Sequence, residues 1–141
     1  MLGRLAKWLR ILGHDTAYYP SLSDSDLVRI ARAEGRLVLT RDREMVKRRG
    51  INSLLIRSDD FREQIQQVVR DLSLPLRPFT RCPACNEALK EVEKGAIRDR
   101  VPPYVFATQE RFSLCPGCGK IYWRGTHWER MKERLKKLEE A

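Results

Sequence analysis

The chain has 141 residues and a mass of 16.5 kDa, enough for one ordinary domain, or a small domain plus a stapled module, and too little for a large multidomain enzyme. Hydrophobic residues make up 42% of it, which supplies a core and excludes global disorder. Twenty-eight Lys and Arg against 19 Asp and Glu leave a formal charge of +9, the balance of a polyanion binder, with nucleic acid the first partner to consider.

That charge is spread along the chain and forms no basic tail. No apolar run approaches the roughly 20 residues of a membrane span, so no membrane association is expected. The four cysteines fall as two close pairs, Cys82-Pro-Ala-Cys85 and Cys115-Pro-Gly-Cys118. This spacing suits a metal better than a disulfide framework and points to a reducing, cytoplasmic location.

In chain order, Leu2, Leu5, Ala6, Leu9 and Leu12 recur at helical spacing, and Gly13 stands where a left-handed cap would end the helix. Thr16 to Tyr19 reads as a strand closed by Pro20. Ser23 then caps a helix through Ala33, with Leu27, Ile30 and Ala31 facing inward. Leu37 to Thr40 has the continuous apolar character of a strand buried on both faces, followed by a short helix within Arg41 to Arg49. Ser53 to Ile56 repeats the strand signal. Asp59 to Leu72 places Phe61, Ile65, Val68, Val69 and Leu72 on one side of a second amphipathic helix. Strands alternating with helices predict an α/β fold with parallel pairing.

Leu74-Pro75-Leu76-Arg77-Pro78 cannot continue a helix and reads as a stiff linker. The expected division is an α/β domain over 1–73, a linker over 74–80, a metal-stapled ribbon over 81–126 and a terminal amphipathic helix over 127–141. Within the ribbon, Ile97 to Val101 and Tyr104 to Phe112 are expected as hairpin strands. Trp128, Met131, Leu135 and Leu138 form the apolar seam of the last helix.

Two C-P-x-C turns can converge four thiolates on one ion, so Cys82, Cys85, Cys115 and Cys118 are the expected ligands of a structural zinc, with a shell too closed for catalysis. In parallel α/β sheets the ligand crevice lies beyond the carboxyl ends of the strands. Asp24 and Asp26, and Asp42 with Glu44, follow the first two expected strands. Such carboxylates can hold Mg or Mn, which position water and neutralise phosphate charge during hydrolysis. Capping explains the same residues: Ser23 and Asp26 have capping-box-like spacing, Asp24 suits the positive end of its helix, and Asp42 can cap the next one.

Arg4, Lys7 and Arg10 lie off the apolar face of the first helix and can meet RNA phosphates or simply solvent. Trp123, His127 and Trp128 can stack on unpaired bases, although Trp128 also continues the final apolar seam.

Several segments occur together in a specific order: Met1-Leu2-Gly3-Arg4-Leu5-Ala6-Lys7-Trp8-Leu9-Arg10, Gly13-His14-Asp15, Leu39-Thr40-Arg41-Asp42, the cysteine pairs, and Tyr122-Trp123-Arg124-Gly125-Thr126-His127-Trp128. In this the chain resembles the Mut-seven C-terminal RNase family over nearly its whole length. The resemblance implies a PIN-like parallel sheet with flanking helices, followed by a small zinc ribbon and a terminal helix. It implies a ribonuclease acting on RNA through a carboxylate-bound Mg or Mn site. By position, catalytic acids fall on Asp24, Asp42 and Glu44, with Asp26 a weaker candidate, and Arg41 joins Arg4, Lys7, Arg10, Trp123 and His127 as an RNA contact.

The family carries a strand ending in an Asp ahead of the Met-Leu-Gly segment. The resemblance therefore implies that one strand and one carboxylate are missing here, leaving the site a negative charge short, and the other motifs favour a start placed at an internal methionine. The alternative from another class is a non-catalytic RNA- or ribosome-binding module whose active surface is the ribbon.

Overall fold

The structure, a computed structural model, describes the backbone of residues 2–140 and the side chains within it except those of residues 126, 127 and 137–140. It divides into two compact units. One joins the start of the chain through Leu5 to Tyr18–Ser73, and the other joins Ala6–Ala17 to the chain from Leu74 onward. The first helix, α1 (Gly3–Ile11), contributes residues to each.

The first unit holds α2 (Asp24–Glu34), β1 (Leu37–Thr40), α3 (Arg43–Val46), β2 (Asn52–Leu55) and α4 (Phe61–Asp71). Ser23 caps α2 by accepting from the Asp26 amide at 3.2 Å, and Gly35, at φ 64°, ends it in the left-handed conformation that glycine adopts without a Cβ penalty. β1 and β2 pair in parallel, Leu37 opposite Asn52 through Thr40 opposite Leu55, and the ladder extends as the Ile56 amide donates to the Thr40 carbonyl at 2.7 Å. Val28 and Ala31 of α2, Val38 of β1 and Met45 of α3 form one core cluster, with Leu27 and Ile51 packed against it.

Two expectations for this region are corrected. Leu37 is 40% exposed and Val38 alone of the four β1 residues is buried, because β1 belongs to a two-stranded sheet and is not flanked by strands on both sides. Thr16 to Tyr19 forms no strand: the Thr16 amide donates to Asn86 Oδ1 at 3.0 Å, so a group needed for a ladder is committed to a side chain. Helix α4 also differs from its apolar reading in burying Gln64 and Gln67 beside Ile65 and Val68.

In the second unit, α1 ends at Gly13, whose φ is 97° and where a Cβ would lie 2.8 Å from both Arg77 Cβ and Thr80 Oγ1. The Pro-rich 74–80 segment packs on this helix end and closes in a turn at Pro78–Phe79, Arg77 donating to the Leu12 carbonyl at 2.9 Å and Phe79 to that of Ile11 at 2.8 Å. The antiparallel sheet is β3 (Lys90–Val92), β4 (Phe112–Leu114) and β5 (Ile121–Tyr122), in the order β3-β4-β5.

The expected hairpin strands are corrected here. Lys94–Arg100 is a 3₁₀ helix and Pro103–Thr108 is α5. Pro102 and Pro103 have no amide to give a ladder, and a proline at the first helical position presets φ for a helix. Ile97, Val101 and Phe112 are the buried centre of this region. The last helix, α6 (Thr126–Glu140), buries Trp128, Met131 and Leu135, and Trp128 meets Phe79 edge-on at 5.1 Å. The side chain of Leu138 lies outside the described residues.

Candidate metal centres and nucleic-acid contacts

The two cysteine turns are built alike. In each, the amide of the first cysteine donates to the carbonyl five residues on, Cys82 N to Glu87 O at 2.8 Å and Cys115 N to Lys120 O at 3.0 Å. In each, the residue four positions on donates back to the first cysteine's carbonyl, Asn86 to Cys82 and Gly119 to Cys115, both at 2.8 Å. Those residues have φ of 67° and 77°, so both turns close through a left-handed residue. The repeated geometry brings the four sulfurs within 4.8 Å of one another, with Cys85–Cys115 at 3.2 Å and Cys82–Cys118 at 3.7 Å. A Zn–S bond of about 2.3 Å gives a tetrahedron with edges of about 3.8 Å, so the four cysteines are positioned to bind zinc, as in a zinc ribbon.

The electrostatics favour a cation at this point. Burial pushes the Cys82 thiol up, but the Tyr122 hydroxyl at 3.0 Å and the backbone amides of Cys85 and Ala84 outweigh it and lower Cys82 to about 6. For Cys85 the Glu87 amide acts downward, yet sharing protons with the neighbouring sulfurs and desolvation prevail and hold it up at about 12. Cys118 is raised as well, by desolvation and the sulfurs of Cys115 and Cys82, against the Lys120 amide. Tyr122 is raised by burial and by the charge of Cys82. Without metal, one thiol ionises at the expense of its neighbours, and a divalent cation relieves that conflict.

The carboxylates are placed differently. Asp24 opens α2 and is exposed. Asp26, in the same turn, pairs with Arg29 at 3.0 Å. Asp42 is the N-cap of α3, accepting from the Glu44 amide at 2.9 Å, while its own amide donates to Thr40 Oγ1 at 3.0 Å. Glu44 pairs with Lys47 at 3.3 Å. Among the described residues, no three carboxylates converge as the sulfurs do.

The expected RNA contacts also have local surroundings. Arg4 stacks over the Phe61 ring at 3.7 Å, and Lys7 is exposed. Arg10 binds the carbonyls of Thr16 at 2.8 Å and Pro83 at 2.9 Å, tying α1 to the first cysteine turn. Arg41 has a buried Nη1 with no hydrogen-bond partner in the structure. Trp123 is half-buried and meets Phe112 at 6.4 Å in the ribbon core. The side chain of His127 lies outside the described residues.

Two contributors to the metal centre were not singled out from the sequence. Tyr122 follows no ligand motif and reaches Cys82 only through the pairing of β5 with β4. Asn86 does carry a signal, since Asn directly after C-P-x-C is one of the few residues that accept a left-handed turn. Its side chain accepts from Thr16 and donates to Asp15 Oδ1 at 2.6 Å.

Among the described residues, no helix is long and apolar enough to cross a membrane. A family model described as the Mut7-C RNAse domain matches residues 1–135. Neither a curated protein nor a solved structure matches the chain.

Proposed function

Because the chain belongs to the Mut7-C RNAse domain family, we propose that it is a cytoplasmic, metal-dependent ribonuclease that hydrolyses RNA phosphodiester bonds through Asp24 and Asp42. The observation that carries this reading is the family match over residues 1–135. Asp42 lies directly beyond the carboxyl end of β1, the edge at which parallel α/β sheets hold ligands, and Asp24 opens α2 with its side chain exposed.

These acids offer the hard oxygen donors that Mg and Mn take, and Mg commonly keeps one or two protein carboxylates alongside substrate phosphates. Asp24 and Asp42 would hold the ion, which supplies charge neutralisation at phosphate and a more acidic water. Asp42 stays fixed by its bonds to Glu44 N and Thr40 Oγ1. Glu44 and Asp26, each paired with a nearby cation, keep the site's charge in place. Arg41, directly before Asp42 in the chain, is the phosphate contact of this reading. The zinc ribbon grips RNA and is held together by its four thiolates.

A second reading has its own observation: Asp42 serves α3 as a cap and Asp26 is paired with Arg29, so these acids have structural employment without catalysis. It makes the protein a non-catalytic RNA- or ribosome-binding zinc-ribbon module. The test is RNA cleavage by zinc-loaded protein in Mn. Cleavage by the wild type that is lost in Asp24→Asn, whose helix keeps its Ser23 cap, upholds the nuclease. Salt-sensitive RNA binding with no cleavage by any version moves the assignment to the binding module.

A further inference from the structure

The first unit has a depression of about 550 Å³ whose ionisable lining is entirely arginine. Helix α2 contributes Ser25, Val28, Arg29 and Arg32 along one face, and the segment after α3 contributes Arg48 and Arg49. No carboxylate lines it. Asp26 reaches Arg29 from the preceding turn at 3.0 Å, which neutralises one of the four charges in part and leaves the wall strongly positive.

This arrangement is built into the chain. Arg32 Nη2 donates to the Arg49 carbonyl and so holds the loop against the helix. Gly50 makes that approach possible: its φ is 81°, and a Cβ there would lie 2.7 Å from Arg32 Cζ and Nη2. With Arg32 fixed by the loop backbone, Arg48 and Arg49 are both exposed and present their guanidinium groups to solvent.

We propose that this cleft is a binding site for the sugar-phosphate backbone of single-stranded RNA. Guanidinium forks match phosphate oxygens in pairs, and several converging on one concave surface suit a polymer with a charge on every residue. The lining has no aromatic ring on which a base could stack and offers, beside the arginines, only the Ser25 hydroxyl, Val28 and Ala33, so recognition is of backbone and not of sequence. The ribonuclease reading enters only in naming the polyanion as RNA.

The test is fluorescence anisotropy of a labelled oligouridylate and of a mixed-sequence strand with the zinc-loaded full chain, without added Mg or Mn, across a salt series. Arg48→Ala/Arg49→Ala is expected to weaken both RNAs alike, by about tenfold or more at low salt. It should also flatten the slope of log K against log salt by about 1.4, at about 0.7 per lost phosphate contact on a single strand. Arg48→Lys/Arg49→Lys should recover most of the slope, which separates lost charge from a misfolded loop. Arg130→Ala/Lys132→Ala removes equal charge from exposed sites on α6, outside the ribbon, and should leave the slope unchanged.

An alanine pair that binds like the wild type, a wild type that binds no RNA, or equal displacement of RNA by a polyglutamate peptide would each overturn the proposal. Binding through these arginines by a chain that cuts nothing in Mn upholds the cleft while removing the nuclease. Cleavage that is indifferent to Arg48 and Arg49 does the reverse.

Discussion

The Tyr122 hydroxyl stands 3.0 Å from the Cys82 sulfur, linking β5 to the opposite metal-binding turn. It donates to the sulfur, favours the thiolate and lowers Cys82 to about 6 against the push of burial. Groups that orient metal ligands in this way are typically worth about 10- to 100-fold in affinity. Tyr122→Phe is therefore expected to weaken zinc binding about tenfold, measured by competition with a chromophoric chelator, while leaving the four ligands in place. A change below about twofold would show that the hydroxyl only packs.

Zinc binding should release protons. At pH 7.5 Cys82, lowered to about 6, is already ionised and contributes none, whereas Cys85, held at about 12, and Cys118, also raised, must each give one up. Calorimetric titration in two buffers of different ionisation enthalpy should count about two or more protons per zinc, and affinity should fall as pH is lowered. Release of no protons would contradict the clustered, metal-free state described for these sulfurs.

Asp42 carries two possible duties that one pair of variants separates. Asn is as good an N-cap as Asp, while Ala is not, so Asp42→Ala should cost about 1 kcal/mol in urea unfolding and Asp42→Asn only a few tenths. If Asp42 is also a catalytic ligand, both lose RNA cleavage. Equal destabilisation by Asn and Ala would mean that the bond to Glu44 N is not what stabilises α3.

Gln67 bridges the end of β2 to α4 from a buried position, accepting from Arg57 N at 3.0 Å and donating to Leu55 O at 2.8 Å. Gln67→Leu keeps the volume and strands both backbone groups, with an expected loss of about 1–3 kcal/mol in the same unfolding assay. A neutral result would show that water replaces the amide.

Local patterns were legible where local physics decides. The caps Ser23 and Gly13, the apolar face of α1 and the converging cysteine turns all follow from spacing along a few residues, whereas on α2 the face turns to bury Val28 with Ala31 in place of Ile30. What was not legible depends on partners distant in the chain. Thr16 to Tyr19 has strand composition, but Asn86 takes a backbone amide; Gln64 and Gln67 stand outside the apolar series of α4 and are buried because Ser58, Leu55 and Arg57 satisfy them. The Pro102-Pro103 pair was a local signal against strands between the cysteine turns, and the apolar character of Ile97 and Phe112 masked it. The arginine cleft is also non-local, since α2 and the segment after α3 meet only once β1 and α3 have folded between them.

The most direct measurement is a time course of end-labelled single-stranded RNA with zinc-loaded protein, with and without Mn, for the wild type and Asp42→Asn. Fragments that appear only in Mn and only with the wild type are expected of a carboxylate-dependent ribonuclease. Equal cleavage by Asp42→Asn, or cleavage that needs no divalent ion, would contradict it.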